Sequence, residues 1–194
     1  MADLEQGKKL RAETGVSITE CKKALEKANG NFDEAKKILR EKGIEIVGKR
    51  AEKATGQGII ESYVHPNKKV GILLELRCES DFVAKSEDFR NLAHEICLQA
   101  AAMKPLYVTE DQIPQELIDN ERKIYETQVA QSGKPKEIAD QIVEGKIKKY
   151  KEEVSLMSQP WIKDPNKTLQ DLLNETLVKI GEKIIIKNFI RFEI

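Results

Sequence analysis

The sequence contains few of the side chains that enzymes use for catalysis or metal binding. It has only two histidines, His65 and His94, and its three cysteines, Cys21, Cys78 and Cys97, are widely spaced and form no CxxC pair. Metal sites and histidine-based catalysis therefore have few candidate residues, and we expect no metal, no cofactor and no catalytic residue. Buried thiols in a reducing compartment are the favoured interpretation of the cysteines.

Long apolar runs and net charge are also absent. No segment is apolar and long enough to span a bilayer, and residues 1–10 lack the apolar stretch of a secretory signal. We therefore expect a cytoplasmic protein that contacts no membrane. The 33 basic and 33 acidic side chains balance, which argues against direct nucleic-acid binding. No glycine-rich phosphate motif occurs either, so the sequence favours a protein that acts by binding.

The first part of the chain shows three short helical patterns. Asp3 is a candidate cap for the first helix, which Gly15 ends. Ser17 and Glu20 form a capping box at the start of the second helix, and Gly43 is expected to end the third. Three short helices are too small to enclose a deep active-site cleft, so we interpret this region as a binding module.

The hydrophobic period then changes from helical to alternating. Residues 48–57 are interpreted as a linker because they are rich in charge and glycine and poor in apolar side chains. Two alternating runs, 60–64 and 70–78, predict a β-hairpin. A final run rich in isoleucine and phenylalanine, 184–194, predicts a third strand that pairs with this hairpin.

Helical patterns occupy the remaining segments. Two charged helices between residues 114 and 157, separated by Gly133, predict a helical hairpin. Segment 164–166, Asp-Pro-Asn, predicts a turn before a last helix. The predicted fold class is therefore α+β, with a three-helix bundle followed by a three-stranded antiparallel sheet that is covered by helices. The sequence predicts three parts: a three-helix bundle in 1–47, a linker in 48–57 and a core domain in 58–194.

Segment 80–86, Ser-Asp-Phe-Val-Ala-Lys-Ser, connects the second predicted strand to a helix. We expect a loop here, and Ser86 is a candidate cap for the helix that follows. Such connections often carry function because a rigid scaffold presents them. On spacing alone, we expect Phe82 to fold back onto the core and Asp81 to cap a turn.

Four segments together resemble the elongation factor Ts family. Segment 80–86 resembles the family signature TDFVA[KR]. The others are 10–15, similar to LR…TG, 17–30, similar to DCKKAL…ANG, and 159–164, similar to QPFVKD. They occur in the family's order and span nearly the whole chain. This resemblance reverses the expectation for Phe82, which is then a contact residue and not part of the core.

The resemblance implies a translation elongation factor that promotes GDP release from the GTPase EF-Tu and is not an enzyme. In the family's mechanism, Phe82 would act as an apolar wedge near the Mg²⁺ site of the partner. Asp81 would reposition groups that hold the metal, and Ser80 and Val83 would flank the wedge.

The N-terminal bundle of such a factor also contacts EF-Tu, here through Arg11 and Ile18. Ile18 and Thr19 stand where many members carry methionines, and Ser80 replaces the signature threonine while keeping a hydroxyl. The chain is short, whereas long members of the family have a second core subdomain and a coiled-coil insertion. In this it is similar to members that work as dimers, so a homodimer is implied by analogy.

Two other interpretations stay open. The three-helix pattern is also typical of ubiquitin-associated (UBA-like) domains, with 14–16 in the place of their binding loop, but this leaves Asp81 and Phe82 unexplained. An enzyme built on Glu79, Asp81 and Lys85 would lack a second acid–base partner and a cofactor loop.

Overall fold

A computed structural model of the protein describes residues 4–131 and 135–194. Asp3 and Gly133, the expected cap and helix separator, lie outside the described residues. The described helices are α1 (Leu4–Thr14), α2 (Ile18–Lys27), α3 (Phe32–Arg50), α4 (Asp81–Lys85), α5 (Glu87–Met103), α6 (Gln115–Ala130), α7 (Lys136–Val154) and α8 (Leu169–Ile180). The strands are β1 (Gln57–Val64), β2 (Val70–Cys78), β3 (Pro160–Trp161), β4 (Asp164–Thr168) and β5 (Ile184–Glu193). No helix in these two ranges is both long and apolar enough to cross a bilayer.

The chain forms two compact units, each assembled from three separate stretches. The first unit comprises Met1–Ile60 (described from Leu4), Glu75–Ala93 and Asp171–Ile185, and the second comprises Glu61–Leu74, His94–Gln170 and Ile186–Ile194. The division of the sequence at 48–57 remains a prediction.

Helices α1, α2 and α3 form the predicted bundle within the first unit. The hydroxyl of Ser17 accepts a hydrogen bond from the amide of Glu20 at 3.3 Å and so caps α2. The expected end of the third helix at Gly43 is wrong, since α3 continues to Arg50. Gly43 is buried, and a Cβ there would lie 3.3 Å from Val178, so this glycine serves close helix packing.

The three-stranded antiparallel sheet is confirmed, with strand order β1-β2-β5. The amide of His65 donates to the carbonyl of Val70 at 2.9 Å, which closes the β1–β2 turn. The alternation read from β2 is also confirmed: of its five inward residues Val70 is half-buried and four are buried, Ile72, Leu74, Leu76 and Cys78.

The helical hairpin of the second unit is confirmed as α6 and α7. Its apolar stripe is narrow, as the sequence indicates, and forms a small core made of Ile113, Ile118, Val129, Val143 and Ile147. Charged side chains cover the outside, including an ion pair between Arg122 on α6 and Glu144 on α7.

The turn expected at 164–166 is wrong, because Asp164–Thr168 forms β4 and pairs antiparallel with β3. The turn lies one step earlier, at 162–163, since Trp161 is paired with Asp164. The buried side chain of Gln99 fixes it by accepting a hydrogen bond from the amide of Ile162 at 2.9 Å.

Candidate functional site: the β2–α5 connection

The connection between β2 and α5 is a short capped helix, so the expected loop is wrong. Ser80 is extended, and its hydroxyl accepts from the amide of Val83 at 3.4 Å, which starts α4. Asp81 adds a negative charge in the first turn, where the helix dipole favours it. The predicted cap at Ser86 is confirmed, because its hydroxyl accepts from the amide of Phe89 at 3.3 Å.

Phe82 points into solvent. Its side chain is 82% exposed, so the expectation from spacing alone, that it folds back onto the core, is wrong. Helical geometry explains this, because residues two apart lie about 200° apart around a helix. Ala84 takes the buried face of α4, which leaves Phe82 on the opposite face. The exposed ring is available for contact with another molecule.

Asp81, beside Phe82, is paired with Lys85 one turn later. The Lys85 ammonium lies 2.7 Å from the Asp81 carboxylate. This hydrogen bond and the lysine charge hold the pKa of Asp81 below its usual range, so the carboxylate is ionised at neutral pH. A fixed negative charge therefore accompanies the ring.

The remaining predicted contacts, Arg11 and Ile18, lie on the three-helix bundle. Arg11 is exposed near the end of α1. Ile18, at the start of α2, is half-buried and therefore exposes only part of its side chain. The side chain of Ile18 packs towards α1, where a Cβ on Gly7 would lie 3.3 Å from its Cδ1. These two residues thus belong to the bundle surface, whereas Asp81 to Val83 belong to α4, which Ser80 caps.

Sequence reasoning missed Glu182, which holds the start of α4. Its carboxylate accepts from the amide of Ser80 at 2.9 Å and from the Ser80 hydroxyl at 2.6 Å. Glu182 follows α8 and is about a hundred residues away in sequence. No local pattern could have indicated this contact, because it depends on how β5 returns to β2.

The neighbouring residue Glu79 was considered for catalysis, but it has structural partners on both oxygens. One oxygen accepts from the amide of Lys183 at 2.7 Å, and the other accepts from the guanidinium of Arg50 at 2.8 Å. The Lys183 ammonium in turn donates to the carbonyl of Ala51 at 2.6 Å. The end of α3 is thereby attached to the segment that precedes α4.

Cys78 completes the surroundings of Ser80. Its thiol donates to the carbonyl of Ser80 at 3.1 Å. Burial raises the pKa of Cys78 to about 11, and the nearby charge of Glu182 contributes to the rise. The thiol is therefore protonated and poorly nucleophilic. Across residues 4–131 and 135–194, no group of three or more histidine, cysteine or acidic side chains is arranged to hold a metal ion.

Known proteins of one family match the chain over nearly its whole length. The family model for elongation factor TS matches residues 8–194. Elongation factor Ts of Thermoanaerobacter sp. (strain X514) is 44% identical over 193 residues, which cover 100% of this chain and 95% of that protein. Elongation factor Ts of Thermodesulfovibrio yellowstonii is 46% identical over 187 residues, covering 96% of this chain and 93% of its own length. The chain therefore belongs to the elongation factor Ts family of translation elongation factors.

Proposed function

We propose that this protein is a guanine nucleotide exchange factor that binds EF-Tu·GDP and promotes GDP release by disturbing the Mg²⁺ and phosphate site. The observation that carries the proposal is the exposed ring of Phe82 on a capped helix, beside the ionised Asp81. Membership of the elongation factor Ts family supports the proposal, because the matched residues, 8–194, include segment 80–86. The protein acts in the cytoplasm without direct contact to nucleic acid or membrane.

Exchange of this kind needs no bond-making step, so the protein is not an enzyme in the chemical sense. GDP in a GTPase is held by backbone amides, a lysine and Mg²⁺ acting on its phosphates. A protein that binds the nucleotide-free state more tightly than the loaded state shifts the equilibrium by that difference in affinity. Displacing Mg²⁺ removes the largest positive charge that holds the phosphates.

The residues of α4 divide this task. Phe82 inserts its ring between side chains near the Mg²⁺ site of EF-Tu, and Asp81 draws away groups that hold the metal. Ser80 and the half-buried Val83 flank the ring, and the Ser80 hydroxyl also caps the helix. The supporting observation is that Ala84 anchors the opposite face of the same helix in the core.

A second contact is proposed on the three-helix bundle, through Arg11 and Ile18. Arg11 offers a full guanidinium to the partner, whereas Ile18 offers only the exposed part of its side chain. We place the functional division at the predicted boundaries, with a UBA-like bundle in 1–47 and an EF-Tu-binding core in 58–194. Two contacts would supply the binding energy that keeps Phe82 inserted.

A homodimer is also proposed, and an apolar sheet face in the second unit supports it. Four apolar side chains of β1, β2 and β5 are exposed there: Val64, Leu73, Ile190 and Phe192. Apolar faces of this kind often mark protein–protein contacts, and the occupant proposed here is a second copy of the chain. Phe192→Asp is expected to shift a dimer to monomer in sedimentation equilibrium. A monomer in both the unmodified protein and the variant would overturn the dimer and leave this face for EF-Tu.

The decisive experiment measures release of a fluorescent GDP from EF-Tu in one Mg²⁺ buffer. The unmodified protein is expected to accelerate release, and Phe82→Ala is expected to slow it by about tenfold to a hundredfold, the worth of one buried aromatic ring. Leu106→Ala is the matched control, because Leu106 is an exposed apolar side chain far from α4 in sequence. It is expected to keep the full rate.

Two results would contradict the proposal. A folded protein that fails to accelerate release excludes the exchange function and favours a plain binding module based on the bundle. Full acceleration by Phe82→Ala excludes the role of the ring while keeping the function. Ubiquitin-type binding by the bundle would be unaffected by this substitution, so it can be measured separately.

A further inference from the structure

We propose that Glu182 is a positioning residue for Phe82, acting through Ser80 and the start of α4. The inference rests on the proposed exchange function and adds a residue outside the family signature. Glu182 lies between α8 and β5, so it is not part of the segment that carries the ring.

The contact is one half of a reciprocal pair of hydrogen bonds. Glu182 accepts from the amide of Ser80 at 2.9 Å, and Glu79 accepts from the amide of Lys183 at 2.7 Å. Two neighbouring residues on one segment thus bind two neighbouring residues on the other. We call these four residues, Glu79, Ser80, Glu182 and Lys183, the reciprocal clamp. Carboxylate–amide bonds of this kind are charge-assisted and stronger than neutral ones.

The clamp determines which way the Ser80 hydroxyl points. The hydroxyl donates its hydrogen to Glu182 at 2.6 Å, so its oxygen remains free to accept from the Val83 amide at 3.4 Å. A hydroxyl has one hydrogen to donate and two lone pairs that accept. Without Glu182, the Ser80 side chain loses the acceptor that holds it in this orientation, and the cap of α4 would weaken.

Helix α4 depends on this cap because it has only five residues, Asp81–Lys85. Isolated helices of this length are not stable in water, so capping and tertiary contacts must hold it. Phe82 is exposed and contributes little packing of its own. The direction of its ring therefore follows the backbone of α4, which is held at Ser80 by the clamp and at Ala84 by burial.

A preorganised ring lowers the ordering cost that is incurred when the complex forms. In the proposed mechanism the bundle and core contacts form the first complex and the ring inserts as GDP leaves. Loss of Glu182 should therefore lower the maximal rate of GDP release and change little the concentration of factor that gives half of that rate. The other contacts with EF-Tu, on the bundle and the core, do not involve the clamp. This split distinguishes a positioning role from a general loss of binding.

The test measures GDP release from EF-Tu against the concentration of the full-length factor. Glu182→Ala is expected to lower the maximal rate by about tenfold, the fold-change that corresponds to losing most of the stabilisation that a helix cap such as Ser80 provides. Glu182→Gln keeps one carbonyl acceptor and is expected to restore most of that rate. Glu52→Ala is the matched control, because Glu52 is an exposed carboxylate of the same unit, and it should leave the rate unchanged.

Combining Glu182→Ala with Phe82→Ala shows whether the two residues act together. If Glu182 acts through the ring, its loss should change the Phe82→Ala rate by less than about twofold, because coupled residues are not additive. Equal fold losses in both backgrounds would overturn the inference. Melting temperatures of all variants establish that each is folded at the assay temperature. If Glu182→Ala is not folded there, Ser80→Ala takes its place, because it removes the other partner of the same hydrogen bond.

The inference and the proposed function fail in different ways. Full maximal rate in Glu182→Ala, with normal acceleration by the unmodified protein, overturns the role of Glu182 alone. No acceleration by the unmodified protein overturns the exchange function and this inference with it.

Discussion

The ammonium of Lys85 lies 2.7 Å from the carboxylate of Asp81, so the charge beside Phe82 is already paired in the free protein. Lys85 is largely exposed and Asp81 half exposed, so water screens the pair. Lys85 can therefore release Asp81 to another group at little cost. The pair therefore orients the Asp81 carboxylate in the free protein.

Lys85→Met should raise the pKa of Asp81 towards its ordinary value, because the hydrogen bond and the charge that lower it are removed. The lowered pKa means that the pair stabilises the folded state fully at pH values above the ordinary aspartate pKa of about 3.9. That contribution is lost as pH falls through the lower, folded value. NMR titration of the Asp81 carboxyl carbon measures the change. An unchanged midpoint in Lys85→Met would contradict the assignment, and Lys8→Met serves as the control.

Gly58→Ala should destabilise the protein by about 2 kcal/mol or more, through strain in the sheet. Gly58 has a φ of 158°, and a Cβ there would lie 2.8 Å from Cα of Arg77 and collide with the carbonyl of Leu76. Gly71→Ala is the matched control on β2, where a Cβ would meet nothing within 4 Å. Urea unfolding of both variants gives the comparison, and equal stability losses would contradict this view of Gly58.

Gln159→Ala should cost about 2–4 kcal/mol of unfolding free energy, because it leaves buried polar groups without partners. The Gln159 amide donates to the carbonyls of Glu153 at 2.7 Å and Met103 at 3.3 Å, and its oxygen accepts from Gln99 at 3.2 Å. The exposed Gln6→Ala should change stability by less than about 0.5 kcal/mol. Chemical denaturation measures the effect, provided that the m-value is unchanged. A stability loss as small as that of Gln6→Ala would rule out a structural role for the hydrogen-bonded pair of Gln99 and Gln159.

The three thiols, Cys21, Cys78 and Cys97, should not react in the folded protein at pH 8, since all are buried. Burial raises the pKa of Cys97 to about 12, and the thiolate is the reactive form. Labelling with a chromogenic disulfide should detect no thiol before denaturation and all three afterwards. Rapid labelling of one thiol in the native state would show that its region opens to solvent.

Short-range patterns in the sequence were sufficient to predict most elements. The alternation through β2 predicts a strand because one face is buried, and Leu74 and Leu76 are indeed almost fully enclosed. Ser86 was identified as a helix cap because a hydroxyl at that spacing satisfies an amide within the same turn. The narrow apolar stripe of α7 predicted a hairpin because so few side chains, such as Val143 and Ile147, are available to pack.

The errors arose where long-range contacts decide the local structure. Gly43 resembles a helix stop, but the approach of Val178 on α8 makes a small residue useful inside α3. Asp164 begins a strand because Gln99 on α5 fixes the preceding turn. Phe82 required the family resemblance, because exposure of a ring cannot be read from its spacing, and Glu182 carries no local signal at all.

An aromatic ring that remains in water contributes nothing to the stability of the free protein, so the gain from burying it is reserved for the complex. Full burial of one phenylalanine side chain is worth about 1.5–3 kcal/mol, which corresponds to about tenfold to a hundredfold in affinity. In the proposed exchange function, that amount would shift a nucleotide equilibrium by one to two orders of magnitude. Because the gain from the single ring of Phe82 is modest, the factor would leave its partner after each cycle and act again.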